Sequence, residues 1–145
     1  MSNYTEAARR WIEPLLALGV GGSVVVRFLV PTGSAASELG IVAPGANSAV
    51  DYPAANSFVR ELRAEEIATP GGQLRLGARE VLLSAAFVDS LAAAQGLFTA
   101  KEVFDSAAGL LIGEQICRIQ TVRPLDLGDG EYAWQLLCDA PLEAA

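Results

Sequence analysis

The sequence predicts a mainly β, α+β fold: a small antiparallel β-barrel or sandwich with an N-terminal helix and a helical insertion. Three observations carry that expectation. Runs rich in β-branched and aromatic residues recur between turn residues, at Ser23 to Val30, Arg79 to Ala85, Ile116 to Val122 and Tyr132 to Asp139. Most of these runs are neighbours in sequence, as in antiparallel architectures. The opening segment and the stretch after Ala86 instead show helical spacing or Ala-rich composition.

Taken in order, Thr5 to Leu18 reads as a helix, with Thr5 as its cap and Ala8, Trp11, Ile12, Leu15 and Leu16 as an apolar face at i, i+3, i+4 spacing. Pro14 inside this span predicts a kink or an early end, and Gly19, Gly21 and Gly22 close it. Ser23 to Val30 is a strand, Pro31-Thr32-Gly33-Ser34 a turn, and Glu38 to Val42 a second short strand. Residues 43–56 hold Pro44, Gly45, Asn47, Pro53 and Asn56 and read as a long loop, of the length that in compact domains is commonly functional.

Ser57 to Ile67 alternates poorly but is taken as a strand, followed by a hairpin through Gly71-Gly72 and strands at Leu74 to Leu76 and Arg79 to Ala85 around Gly77. Phe87 to Gln95 is a helix, and Thr99 with Glu102 resembles a capping box that opens a turn through Asp105. Leu110 to Ile112 and Ile116 to Val122 are strands about Gly113, and Gly128-Asp129-Gly130 turns into the last strand. The expected organisation is one domain over 1–145. It comprises a helix at 1–19, a first β half at 23–85, a helical insertion at 86–108 and a C-terminal hairpin region at 109–139.

The 145 residues suffice for one core, and at 52% apolar residues the chain has the material to fill it. Ten basic against 17 acidic residues leave a charge of −7, the wrong sign for gripping phosphates. The longest early apolar stretch, Val20 to Val30, is broken by Gly21-Gly22, Ser23 and Arg27 and is far shorter than the roughly 20 residues a bilayer needs. No membrane partner is expected. The charged N-terminus does not read as a signal peptide, so a cytosolic setting is the default. Cys117 and Cys138 form no metal motif; as two buried thiols they would lie nearly opposite each other if their strands flank the 126–130 turn.

The sequence offers few residues for catalysis. Histidine is absent, which removes the commonest general base and metal ligand together. Glu65-Glu66 reads as an exposed turn flank and Asp126 to Glu131 as a hairpin turn, because it lacks the ligand periodicity of a calcium loop. Gly19-Val20-Gly21-Gly22-Ser23 precedes a strand instead of opening a helix, so it is not a phosphate cradle. No catalytic, cofactor or metal residues are assigned. Leu97, Phe98 and Phe104 are core residues or, alternatively, anchors inserted into a neighbouring subunit.

The stretches Glu66 to Ala85, Ile112 to Leu125 and Tyr132 to Cys138 together resemble the head-to-tail stopper (head-closure) family of long-tailed bacteriophages. They resemble its run of acidic turn, Gly turn, strand ending in Ser-Ala, a Gly-Glu followed by Arg-Ile-x-x-Val-x-Pro (here Gly113-Glu114 and Arg118 to Pro124, with three residues between them), and a final strand opening on Tyr. The chain departs from the pattern in Ala78 after Gly77, in Cys117 where an aromatic is common, in the long insertion and in the leading helix. The resemblance implies a non-enzymatic virion protein, assembled in the host cytoplasm as a ring of six or twelve copies. Portal or adaptor would lie above it, tail terminator or tube below, and genomic DNA would pass through without sequence-specific binding. Within that expectation Asn47, Asp51 and Tyr52 are candidates for a lumen or docking loop, and Leu97, Phe98 and Phe104 for contacts between subunits. A tail terminator, adaptor or minor tail protein is the near alternative, and a small ligand-binding barrel the distant one.

Overall fold

Alternation in Val24-Val25-Val26-Arg27-Phe28-Leu29 dictates the first sheet. Val24, Val26 and Phe28 are buried while Arg27 and Leu29 face away, the period-2 pattern of a strand with one covered face. In the computed structural model, residues 3–18, 23–31, 47–54, 56–67 and 76–141 are described. Helix α1 spans Asn3–Ala17, β1 Val24–Pro31, β2 Asn47–Ala54, β3 Ser57–Glu61 and α2 Ala64–Ile67. Then follow β4 Arg79–Ser84, α3 Ala85–Gln95, α4 Ala100–Ser106, β5 Gly109–Ile112, β6 Gln115–Cys117, β7 Ile119–Asp126 and β8 Glu131–Cys138.

The strands form two four-stranded antiparallel sheets, β2-β1-β5-β6 and β3-β4-β8-β7. The architecture is thus sandwich-like, without a closed barrel. One core joins them: Val24, Val26, Phe28, Leu110, Ile112 and Cys117 from the first sheet, and Val59, Val81, Leu83, Leu136 and Cys138 from the second. Gly109 is required where β5 meets β6, because a Cβ there would lie 2.8 Å from the Cys117 carbonyl oxygen. The β5–β6 turn uses two positive-φ residues, Gly113 and Glu114.

The helical insertion packs into this core, with Val88 and Leu91 of α3 and Val103 and Phe104 of α4 all buried. Ser84 ends β4 and caps α3 by accepting from the Phe87 N–H. Gly96 ends α3 in the left-handed region, and the Leu97 N–H reaches back to Ala92 O at 2.8 Å. Thr99 caps α4 as expected, accepting from the Glu102 N–H. The Glu102 carboxylate accepts from Phe98, one residue ahead of the cap, so the box is offset.

Several expectations are corrected. The stretch 47–54 is not loop: it is β2, paired along its whole length with β1, and an edge strand tolerates Pro53 because it has a free side. Ala64–Ile67 is helical, not part of a strand or hairpin, with the Glu66 carboxylate accepting from the Arg63 N–H. Ile116 to Val122 is not one strand: at Arg118 the chain leaves one sheet for the other, and the Asp139 N–H donates to Arg118 O at 2.9 Å. Thr5 does not cap α1 but lies buried inside it, and the helix runs past Pro14 to Ala17. The turn at 32–34, the strand at 38–42 and the Gly71-Gly72 turn lie outside the described residues.

Candidate interaction surfaces

Helix α1 lies against the second sheet, touching β8, β4 and β3. On β8, Trp134, Leu136 and Cys138 face the core. Alternation therefore puts the fully buried Ala133 on the opposite face, the one α1 covers. The helix is fastened by polar groups. The Thr5 hydroxyl donates to Asp129 at 2.5 Å, Arg9 Nε donates to Glu131 O at 2.9 Å, Arg9 also pairs with Asp89 at 2.8 Å, and Asn56 donates to Glu13 at 2.7 Å.

This docking turns part of the face expected from spacing outward, while Leu16 of that face is buried and Ala8 and Ile12 are half-buried. Thr5 and Leu16 are buried, whereas Trp11 and Leu15 point outward. Tyr4, Trp11, Leu15 and Leu18 are 81%, 71%, 58% and 77% exposed. At 100° per residue these four fall on one side of the helix. They form a continuous apolar stripe, and contiguous exposed apolar surface of this kind marks interaction sites.

A groove of about 460 Å³ opens between α4 and β7. Phe104, Ile119, Val122, Pro124 and Trp134 line it, with Lys101 and Asp105 of α4 also on its wall. The Phe104 and Trp134 rings meet at 5.7 Å, tilted by 55°. The Trp134 Nε1 is buried with no acceptor among the described residues, a shortfall that typically costs roughly 1–3 kcal/mol. A second cleft, about 320 Å³, is lined by Val59, Arg60, Glu61, Arg79, Ile112, Gly113 and Gln115.

The residues singled out from sequence are not one site. Asp51 lies on β2 and accepts two hydrogen bonds from Arg27 of β1, at 2.8 and 2.9 Å. That bond holds the Asp51 carboxyl below its ordinary range and raises Arg27. Tyr52 packs edge-on against Phe28, and its hydroxyl accepts from Gln95 of α3 at 2.7 Å. Asn47 pairs through its backbone with Pro31 at the end of β2. These three residues therefore belong to a strand whose register β1 sets. Among the proposed anchors, Phe104 is core at 5% exposure and Leu97 is packed against the core, while Phe98 is 92% exposed.

Glu66 accepts from Arg60, which also bonds Glu80, and the Arg60 bond together with that from the Arg63 N–H holds the Glu66 carboxyl low. Cys117 and Cys138 are both free and buried, in β6 and β8 of different sheets, so they are not a cross-strand pair about the 126–130 turn. Burial pushes the Cys138 thiol up to about 12, with Cys117 adding to the rise. Burial raises Cys117 as well. Both are protonated and inert at neutral pH. In the 126–130 turn Asp126 accepts from the Gly128 N–H at 3.0 Å, an Asx turn at a positive-φ glycine. Among the described residues no cluster of three or more His, Cys, Asp or Glu could hold a metal ion, and no helix is long and apolar enough to cross a membrane.

The α1 stripe is the feature sequence reasoning missed. Its signal was available, since Tyr4, Trp11, Leu15 and Leu18 recur at steps of seven, four and three, but Leu16 and Ile12 offered a competing face. No protein-family model, no curated protein and no solved structure matches the chain.

Proposed function

We propose that this chain is a structural protein of a bacteriophage neck, a stopper-type ring that closes the DNA channel after packaging and presents a docking surface to the tail. One observation supports this reading above the rest. Of the four strands within the three stretches that carry the resemblance, β4, β7 and β8 are hydrogen-bonded neighbours in the order β4-β8-β7, while β6 pairs with β5 in the other sheet. Three of the four matching strands thus share one sheet.

Charge and surface agree with the reading. A net charge of −7 would keep a channel lining from binding the DNA backbone, so that DNA slides past it. The exposed stripe on α1 and the α4–β7 groove give the subunit two apolar surfaces to present to neighbours.

The test is immunogold labelling of purified virions, together with heads made without this protein. Label at the head–tail junction, and tailless heads that package DNA and then lose it, are the expected results. Purified particles that lack the protein, or heads that retain DNA and accept tails without it, would overturn the proposal.

A further inference from the structure

We infer that the cleft between the two sheets, where Glu61 and Arg79 face Ile112 and Gln115, binds a small aliphatic α-amino acid as its zwitterion. The site is separate from the α1 stripe and the α4–β7 groove, and the inference goes beyond the neck reading without resting on it.

Register brings two opposite charges into this cleft. Glu61 and Arg79 stand directly opposite each other in the β3–β4 ladder, and Arg79 stands opposite Cys138 in the β4–β8 ladder. Alternation gives Arg79 the inner face of β4, shared with Val81 and Leu83, and gives Glu61 the inner face of β3, shared with Val59. The Arg79 charge works against the rise of the Cys117 and Cys138 thiols, as a guanidinium turned toward the interior does. Arg60 alternates to the other face, where Glu66 and Glu80 hold it. The wall opposite comes from the first sheet, with Ile112 of β5 and Gln115 of β6.

Neither charge is neutralised within the described chain. The Arg79 side chain is half-buried, yet it makes no hydrogen bond or ion pair with a described residue, and the exposed Glu61 makes none either. Although directly opposed, the two do not pair with each other. A guanidinium partly withdrawn from water is favoured by a counter-ion brought to it.

Charge and size then select the ligand. A simple anion would meet Glu61 and a simple cation would meet Arg79, so the complement of this cleft carries both signs. Directly opposed residues hold their Cβ atoms roughly 4.5–5.5 Å apart. An α-amino acid bears its ammonium and carboxylate on a single carbon, so one molecule reaches both side chains. Its carboxylate accepts from the Arg79 fork and its ammonium donates to Glu61. Val59 and Ile112 give the cleft an apolar floor, which suits an aliphatic side chain. At about 320 Å³ the cleft lies at the small end of ligand-binding sites.

The experiment is a titration of the isotope-labelled full chain with L-valine, followed by the shifts of amide and Arg Nε–H resonances. Saturable shifts at Gly113, Gln115 and Arg79 are expected, with a dissociation constant on the order of 1 mM. N-acetyl-L-valine lacks the ammonium and L-valinamide the carboxylate, and each should bind about tenfold or more weakly. Arg79→Gln and Glu61→Gln, confirmed as folded by circular dichroism, should weaken L-valine by the same factor. The absence of saturable shifts overturns the inference. So does an analogue missing one charge that binds as tightly as L-valine, or a variant that binds as tightly as wild type. Equal shifts with sodium acetate would mean an adventitious ion only and would overturn it too.

Discussion

The two helical regions carry similar aromatic residues and use them in opposite ways. Helix α1 turns Tyr4 and Trp11 to the outside, whereas the α3–α4 insertion buries Phe104 beside Trp134. What lies beneath each helix explains the difference. The insertion enters the space between two sheets, where only apolar side chains are accommodated cheaply. Helix α1 lies on the outer face of a sheet already packed from within, and Thr5, Arg9 and Glu13 anchor it there through hydrogen bonds to Asp129, Glu131, Asp89 and Asn56. Periodicity tells that a helix has an apolar face; it does not tell that the same chain covers that face.

The contrast is broken most sharply at Phe104. Phe104→Ala removes a buried ring and should cost about 3–5 kcal/mol in urea unfolding, while Phe98→Ala should stay within about 0.5 kcal/mol. Equal effects would mean that the insertion is not core. Next in size is Leu16→Ala, on the covered face of α1, at about 2–4 kcal/mol. Arg9→Ala should follow at about 1–2 kcal/mol, since it removes hydrogen bonds to Glu131 and Asp89 at a partly exposed site. Faster amide exchange confined to α1 in Arg9→Ala would place that loss in the helix.

Much of the sandwich was readable where one face is buried. β1, β4 and β8 announce themselves by runs of β-branched and aromatic residues, and the cap at Thr99 by residue type, whereas Ser84, which caps α3, reads as strand. β2 was not readable, because Asn47-Ser48-Ala49-Val50-Asp51-Tyr52-Pro53-Ala54 has loop composition and becomes a strand only through pairing with β1. The switch between sheets at Arg118 left no mark either, since β6 and β7 both turn apolar residues to one shared interior. Of the candidate site, Phe98 reads from sequence as core or anchor and is exposed in the structure, whereas the α1 stripe and the groove needed the docked helix and the packed insertion to become visible.

The shared interior also makes a pH prediction. Cys138, two residues beyond Leu136 on the inner face of β8, has its thiol raised from 9.0 to about 12 by burial and by Cys117. A folded-state value above the unfolded one contributes stability that is complete below pH 9.0 and is lost as pH rises toward 12. Unfolding free energy should therefore fall on the order of 1.4 kcal/mol per pH unit in that window. Cys138→Ala should flatten this slope in urea titrations between pH 8 and 10.5. An unchanged slope would remove Cys138 from the interior the insertion shares.

The smallest expected effect is the most informative about α1. Trp11→Ala deletes the largest side chain of the helix, and if size alone governed stability it would rival Phe104→Ala. At 71% exposure the indole contributes little to the folded monomer, so its loss should move the unfolding free energy by no more than about 0.5 kcal/mol at dilute, monomeric concentration. A monomer destabilised by several kcal/mol would mean that Trp11 packs on its own chain. The two faces of α1 would then have to be exchanged, and the stripe would return to the core.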